Sequence, residues 1–330
     1  LGNKIIKFSD IEVIKNILHI ALVLICIIPI HGQQIVMHSN YMVNGLPLNP
    51  AVAGTKTFAP LVLGFRRQWT GIREAPVAQH LSYHNYVAEQ IGVGIYAFND
   101  VAGPARRTGM MGSFSLQIKS SYKTRLSFGL AGSFSQFMLD RDKLITEDPA
   151  DQVVLERTTN QFVPDLAAGL HWYGHQFHFG VSIFNVIQTK TDLFDIMTPV
   201  SSTLDRTLYA NASYRFGAKN DKSLSFEPAA ILRIMKNAPL QFDLSGRIFY
   251  DQQYYIGSSY RFKDALAILL GFNGPKIGIG YAYDLGLSSL NSYHSGSHEI
   301  VITFKTRNNN QNSNNRSNFS NRIYDCPSFK

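Results

Sequence analysis

Charge, cysteine and long apolar segments are all scarce in this chain of 330 residues. Charged residues make up only 16% of the chain. Typical soluble domains carry about 25%, so the composition argues against an ordinary soluble enzyme. Only residues 17–30 could form a membrane helix, and they fall short of the roughly 20 residues that a span requires. Together with a mean hydropathy of −0.07, these deficits exclude a helical multispan membrane protein.

The chain has two cysteines, which is too few for a disulfide scaffold. Lysines precede the apolar residues 17–30, and a small residue and a polar stretch follow, which is the order of a secretory signal. We therefore predict a signal peptide over residues 1–32, with a retained anchor helix as the alternative. Because Cys26 would be removed with the signal, the mature chain would keep Cys326 alone.

A strict alternation of side chains is what the sequence does contain. Successive residues of a strand face opposite sides of the sheet, so a period of two gives the strand two different faces. Residues 276–285 place large apolar side chains on one face and small or polar ones on the other. Residues 204–216, 239–250 and 297–305 repeat this pattern. Repeated strands of this kind that end in aromatics are typical of a transmembrane β-barrel.

About fourteen such strands can be drawn between residues 59 and 306, and no long helical pattern interrupts them. Short and longer connections alternate, as in outer-membrane barrels with short periplasmic turns and longer external loops. The longer set includes residues 69–76, 99–108, 138–159, 186–203 and 287–296. We predict an all-β, transmembrane antiparallel barrel over residues 59–306 in the outer membrane. A soluble β-sandwich or barrel is the alternative for the same alternation.

Two segments flank the predicted barrel. Residues 33–58 have no clean alternation, and we expect them to plug the lumen or to lie against the periplasmic rim. Residues 307–330 are rich in Asn, Ser and Arg, which predicts a flexible periplasmic tail. The tail regains apolar character at residues 323–329, which suggests either a docking tip or a frayed end.

Several residues stand out as candidates for partner contacts. Asn49, Pro50 and Gly54 form a turn that could contact a periplasmic partner, plug the lumen or simply reverse the chain. Arg66 and Arg67 face opposite sides of one strand. The inward arginine should therefore find an acidic partner in the lumen, for which the candidates are Asp165, Asp243, Asp284 and Glu227.

Further candidates lie near strand ends. Trp69 follows the first strand, where an indole suits the aromatic girdle at the membrane interface. Asn99 and Asp100 begin a predicted tight external loop. Calcium binding there would rest on Asp100 as the single nearby carboxylate, so we do not predict it. Cys326 and Pro327 lie at the apolar tip of the tail.

Other patterns have simpler explanations than chemistry. His171, His175 and His178 lie around a turn without a nearby cysteine, so no zinc site is predicted. Ser295 lies near two histidines, but no acid is placed to orient them, so no catalytic residues are predicted. The net charge of +8 is not concentrated in a basic patch with stacking aromatics, which argues against nucleic-acid binding. We predict no enzyme, cofactor or metal.

Several short motifs follow one another along the chain: Y-M-V-N…N-P-A-V-A-G at residues 41–54, R-R-Q-W-T-G with A-P at 66–76, N-D-V-A-G-P at 99–104, Y-A-Y-D at 281–284, G-S-H-E at 296–299 and C-P at 326–327. In this order they resemble the PorP/SprF family of type IX secretion and gliding-motility proteins from Bacteroidetes-type bacteria. The resemblance covers essentially the whole mature chain.

The resemblance implies a barrel that works with the type IX machinery of the outer membrane. Expected partners are outer-membrane lipid, periplasmic lipoprotein and peptidoglycan-binding components, and a secreted surface adhesin that the barrel helps to export or anchor. The partner contacts would fall on the candidate residues named above. The alternative function is an outer-membrane transport barrel for hydrophobic solutes, which would need a continuous lumen or a lateral opening.

Overall fold

The structure is a computed structural model. It describes residues 37–88, 90–140, 143, 160–191, 202–217, 224–236, 238–287 and 292–306. The predicted signal peptide and the predicted tail lie outside these ranges. Among the described residues, no helix is long and apolar enough to cross a membrane.

Fourteen antiparallel strands form a closed barrel. The strands are β1 (Ala59–Arg67), β2 (Val77–Ala88), β3 (Ile91–Ala102), β4 (Ala105–Lys119), β5 (Thr124–Leu139), β6 (Asn160–Gly174), β7 (Phe177–Phe184), β10 (Thr207–Tyr214), β11 (Ser225–Met235), β12 (Gln241–Tyr250), β13 (Tyr254–Arg261), β14 (Ala265–Asn273), β15 (Ile277–Gly286) and β16 (Ser297–Thr306). Two short strands, β8 (Lys190–Thr191) and β9 (Ser202–Thr203), pair separately between β7 and β10. The predicted barrel of about fourteen strands is confirmed.

Closure comes from pairing of the first and last barrel strands. Ala59 of β1 lies opposite Thr306 of β16, and Arg67 lies opposite His298 at the other end of the ladder. Every strand of the barrel therefore has two neighbours, so the barrel sheet has no terminal edge strand.

The two faces of the barrel wall follow the alternation of the sequence. On β15, Ile277 and Ile279 are each 43% exposed on the outer face, whereas Ala282 is fully buried on the inner face. On β2, His80, Ser82 and His84 are buried inside. An apolar outer face and a polar lumen are what a lipid-embedded barrel requires.

Connection lengths define two ends of the barrel. The short-turn end carries residues 120–123, 175–176, 251–253 and 274–276, and β1 begins and β16 ends there. The opposite, long-loop end carries residues 68–76, 140–159, 185–206 and 287–296.

One predicted loop is wrong. We expected a longer connection over residues 99–108, but β3 and β4 are joined by Gly103 and Pro104 alone. Asn99 and Asp100 instead pair with Thr108 and Arg107 in the ladder. The tight turn is possible because Gly103 adopts a φ of 57°, which glycine tolerates without a steric penalty.

Residues 37–58, called the plug segment from here on, occupy the lumen. The segment starts near the long-loop end, where Asn40 contacts Glu299 early in β16, and it reaches the short-turn end just before β1. A short 3-10 helix, Pro50–Val52, lies midway and is buried. Tyr41 and Met42 pack against Tyr209 and Ile231 of the wall. Of the two positions expected for this segment, the structure gives the lumen.

Candidate functional site

A buried ion network lies at the long-loop end of the lumen. Arg66 points inward from β1, and its Nη2 lies 2.7 Å from Asp284 Oδ2 while its Nη1 lies 3.0 Å from Glu299 Oε2. All three side chains are nearly inaccessible to solvent. A charge in such a position is tolerated only when it is paired and hydrogen-bonded. The predicted lumen partner Asp284 is thus confirmed for Arg66.

Glu299 was not among the partners predicted for Arg66. It faces Arg66 directly across the ladder between β1 and β16. Two signals could have revealed it: its place on the inward face of the last strand, and the need for that strand to pair with the first.

The plug segment is tied to this network through its first described residues. The backbone N–H groups of Ser39 and Asn40 donate to the Glu299 carboxylate at 2.8 Å and 2.9 Å. The Ser39 hydroxyl donates to Asp284 Oδ2 at 2.7 Å and accepts from Arg66 at 3.0 Å. Two carboxylates and an arginine of the wall thereby hold the plug. We call Ser39, Arg66, Asp284 and Glu299 the latch.

A second polar group extends the latch along the wall. Arg261 lies 3.3 Å from Asp243 and donates to the Ser39 hydroxyl at 3.2 Å. The Tyr41 hydroxyl donates to Ser245 at 3.0 Å. Burial is the main cause that raises the pKa of the Tyr41 phenol above its ordinary value, so this hydroxyl keeps its proton and remains a donor.

Midway along the lumen, glycines of the wall make room for the plug. A Cβ added at Gly129 would collide with the backbone of Ala51, and one added at Gly92 would collide with the carbonyl of Ala53. The Ala53 carbonyl also accepts a hydrogen bond from Ser115 of β4 at 2.7 Å. Inward glycines thus allow the two backbones to approach closely.

Asn49 fixes the bend of the plug in this region. Its side chain accepts from the Ala51 N–H at 2.9 Å and donates to the Leu170 carbonyl of β6 at 2.8 Å. Gly54 adopts a φ of 67°, and its N–H donates to His84 at 3.1 Å. Asn49, Pro50 and Gly54 are therefore engaged with the barrel wall. Their predicted contact with a partner stays a prediction.

A third charged group lies at the short-turn end. Glu227 is fully buried and bonds Arg215 at 3.0 Å and Arg247 at 3.3 Å. The Arg215 guanidinium lies 3.8 Å above the centre of the Phe249 ring. This arrangement fixes the guanidinium by charge and by cation–π contact.

The remaining candidate residues are spread around the long-loop rim. Arg67 is exposed at the end of β1, next to the buried Arg66. The backbone N–H of Trp69 donates to the Ser297 hydroxyl at 3.2 Å. The residue is 36% exposed, and its ring centre lies 6.4 Å from that of His294. An amphipathic ring at the end of a strand agrees with the predicted girdle position.

Asn99 and Asp100 lie on opposite faces of β3. The Asn99 side chain accepts from Arg106 at 2.7 Å and from Thr108 at 3.0 Å. Asp100 lies opposite Arg107 in the ladder. Cys326 and Pro327 fall outside the described residues. The candidate residues therefore do not form one site, and their role in partner binding stays a prediction.

The histidines around the β6–β7 turn belong to different surroundings. His171 and His178 are buried in the lumen with ring centroids 5.5 Å apart, whereas His175 lies exposed in the turn. Across the described ranges, no three His, Cys, Asp or Glu side chains are grouped so that they could hold a metal ion.

Comparison with known families decides the identity of this plugged barrel. Residues 30–304 match the family described as type IX secretion system membrane protein PorP/SprF. The chain belongs to the PorP/SprF family. The match includes the residues of the plug segment as well as nearly all of the barrel. With its apolar outer face, it is an outer-membrane β-barrel.

Several solved structures match the PorP/SprF barrel at low sequence identity. Omp33 of Acinetobacter baumannii shares 8% identity at a TM-score of 0.44, with 76% of this chain and 99% of that chain covered. The toluene transporter TbuX of Ralstonia pickettii shares 12% identity at a TM-score of 0.48, with coverages of 81% and 93%. The toluene transporter TodX of Pseudomonas putida shares 9% at 0.45, with 83% and 95% covered. A comparison with curated proteins gave no match.

Proposed function

We propose that this PorP/SprF protein is an assembly component of type IX secretion that helps to export or anchor a secreted surface adhesin. The observation that carries the proposal is the filled lumen, with the plug held by the latch at one end and by close backbone packing in the middle. A barrel closed in this way offers surfaces for partners more readily than a passage for solutes.

The long-loop end is the surface we assign to the adhesin. Its largest connections, residues 140–159 and 185–206, provide the most chain for a contact outside the cell. Outer-membrane barrels place their longer loops on the extracellular side, which supports this orientation.

The short-turn end and the tail are the surfaces we assign to periplasmic lipoprotein and peptidoglycan-binding components. The sequence alone predicts residues 33–58 as a second periplasmic contact. Because most of residues 37–58 are buried inside the barrel, we assign the periplasmic contact to the tail at residues 307–330. It leaves the barrel after β16, on the same side as the short turns.

Transport of hydrophobic solutes is the competing function, and the plug counts against it. A transport barrel needs a continuous lumen or a lateral opening, and residues 37–58 occupy the lumen with two backbone hydrogen bonds to the buried Glu299 carboxylate. Displacing the plug would leave that carboxylate buried without two of its donors, which costs free energy.

Deleting residues 307–330 tests the assembly role. We expect the barrel to insert and fold, as judged by its heat-modifiable mobility in gel electrophoresis, while a large protein disappears from the surface of intact cells labelled with impermeant biotin. A control in which a Gly/Ser linker replaces residues 307–322 and keeps residues 323–330 should restore display. Wild-type display without the tail would contradict the docking role.

A further inference from the structure

An open apolar groove lies on the outer face of the barrel, where the first and last strands meet. Its volume is about 430 Å³, and its described walls come from β16, β1, β2 and β3. The groove passes over Ala97, a small outward side chain that lies opposite the larger Leu81 and Met110 on the neighbouring strands. Phe65 and Ile300 form its far wall. Because this face is the one that contacts membrane hydrocarbon, the groove suits an apolar chain.

Polar side chains lie at the end of the groove that is nearer to the long loops. Gln79 and Asn99 line the groove there. Asn99 Nδ2 donates to Gln79 Oε1 at 3.1 Å, and Asn99 Oδ1 accepts from Arg106 Nε at 2.7 Å. The Thr108 hydroxyl donates to the same oxygen at 3.0 Å. These four side chains lie on the outer faces of β2, β3 and β4, and we call them the outer polar cluster.

The outer polar cluster lies at the depth where a membrane changes from hydrocarbon to headgroups. An arginine on the lipid face of a barrel is costly at the bilayer midplane, and this cost nearly disappears towards the interface. Arg106 is the second residue after Pro104, which belongs to the turn between β3 and β4 at the long-loop end. Its charge is therefore at the level of the headgroups, and the apolar groove extends from there towards the midplane.

Arg106 is oriented by the protein but keeps most of its donors available. Asn99 takes the Nε–H of its guanidinium, which holds the group beside the end of the groove. Among the described residues, the two Nη groups have no hydrogen-bond or ion-pair partner, and the side chain is exposed. Two adjacent guanidinium nitrogens that point outward suit the oxygens of a phosphate group, which accept hydrogen bonds in pairs.

A second apolar groove on the outer face shows what the outer polar cluster adds. This groove has a volume of about 600 Å³ and passes over Ala168 of β6. None of its described lining residues carries a charge or an amide side chain. The first groove is smaller, yet it combines an apolar floor with hydrogen-bond donors and a cation at one end. That combination matches an amphipathic molecule rather than hydrocarbon alone.

We propose that the first groove and the outer polar cluster bind one phosphate-bearing membrane lipid. An acyl chain of the lipid lies in the groove over Ala97, and its phosphate accepts hydrogen bonds from Arg106. Basic side chains at a membrane surface attract anionic headgroups, which supports this assignment. The lipid belongs to the leaflet on the long-loop side. Its binding does not depend on the proposed role in secretion.

Native mass spectrometry of the purified full-length barrel in detergent tests the headgroup contact, with phosphatidylglycerol as the probe. We expect saturable binding of one lipid molecule. Arg106→Gln should weaken this binding by about tenfold, because it removes charge-assisted hydrogen bonds to the phosphate. Arg206→Gln is the matched control, since Arg206 is exposed at the same end of the barrel but precedes β10, four strands away from β4. Its affinity should equal that of the wild type.

A second pair of variants tests the contact with the acyl chain. Ala97→Phe fills the groove and should weaken phosphatidylglycerol binding by about tenfold, whereas Ala168→Phe fills the other groove and should leave it unchanged. Diacylglycerol with the same chains lacks the phosphate and should bind about tenfold more weakly than phosphatidylglycerol. Equal affinity for the two lipids would mean a purely apolar occupant and would overturn the proposal. Absence of saturable binding would overturn it too, as would equal effects of Arg106→Gln and Arg206→Gln. Arg106→Gln changes an exposed side chain, so heat-modifiable mobility in gel electrophoresis should show a folded barrel.

Discussion

Arg66 and Arg67 are consecutive residues of one strand, yet they experience opposite environments. The strand period of two sends Arg66 into the lumen and leaves Arg67 exposed at the rim. Inside, Arg66 pairs with both Asp284 and Glu299, and Glu299 in turn accepts hydrogen bonds from two backbone N–H groups of the plug. The charge of one residue thus supports both barrel closure and plug attachment.

Replacing Arg66 with glutamine should destabilise the protein strongly. Asp284 and Glu299 would lose their closest cation and keep only Arg261 and His38, each at 3.7 Å. Breaking a buried pair in this way costs about 3–5 kcal/mol. We expect this loss in the free energy of unfolding, measured by urea titration in detergent with tryptophan fluorescence as the signal. Arg67→Gln makes the same chemical change one residue later and should stay within about 0.5 kcal/mol of the wild type. Equal losses in the two variants would contradict the latch.

At the residue scale, alternation alone predicted that the inward arginine needs an acidic partner, and Asp284 was among those named. Glu299 was missed because its position depends on pairing between β1 and β16, which are separated by most of the chain. Local patterns assign a face to each side chain but do not assign the register of distant strands.

At the scale of elements, the fit between plug and wall depends on small side chains. Gly129 of β5 faces the lumen, where Ala51 of the plug approaches its backbone. Gly132, three residues later, faces outward, and nothing lies within 4 Å of a Cβ added there. The two glycines lie on the same strand but on opposite faces, and of the two it is Gly129 that adjoins the plug.

Gly129→Val should displace the plug from its seat. Overpacking of this kind costs about 1–3 kcal/mol, which would raise the undocked fraction of the plug by roughly 5-fold to 150-fold. We expect frequent channel openings in planar bilayers, whereas the wild-type barrel should remain closed. Gly132→Val should behave like the wild type. A closed Gly129→Val barrel that folds normally would mean that the plug does not need this glycine.

Sequence patterns predicted the strands better than the elements between them. Strand faces follow a period of two, so the alternating residues 276–285 mark a strand directly. The plug has no such repeat. Its position depends on contacts between residues that are distant in sequence, such as Asn49 and Leu170. The prediction of a loop over residues 99–108 is wrong because Asn99 and Asp100, which are common turn residues, here extend β3.

At the scale of the whole molecule, the plug makes the two ends of the barrel different. The first described residues lie at the long-loop end, and the chain then crosses the lumen to begin β1 at the short-turn end. Arg66, Asp284 and Glu299 hold the plug at the latch, whereas a different group, Glu227 with Arg215 and Arg247, lies at the short-turn end. The two ends therefore differ in chemistry as well as in loop length.

Cysteine labelling tests the orientation that this asymmetry implies. Ile187 lies in a connection at the long-loop end and is 51% exposed, while Ser121 is exposed in a turn at the opposite end. In a Cys326→Ser background, Ile187→Cys should react with an impermeant maleimide on intact cells, and Ser121→Cys should react only after the outer membrane is opened. Both side chains are exposed, so a difference between them reports the side of the membrane rather than accessibility within the protein. The reverse pattern would place the long loops in the periplasm, and with it the adhesin surface would move to the short-turn end.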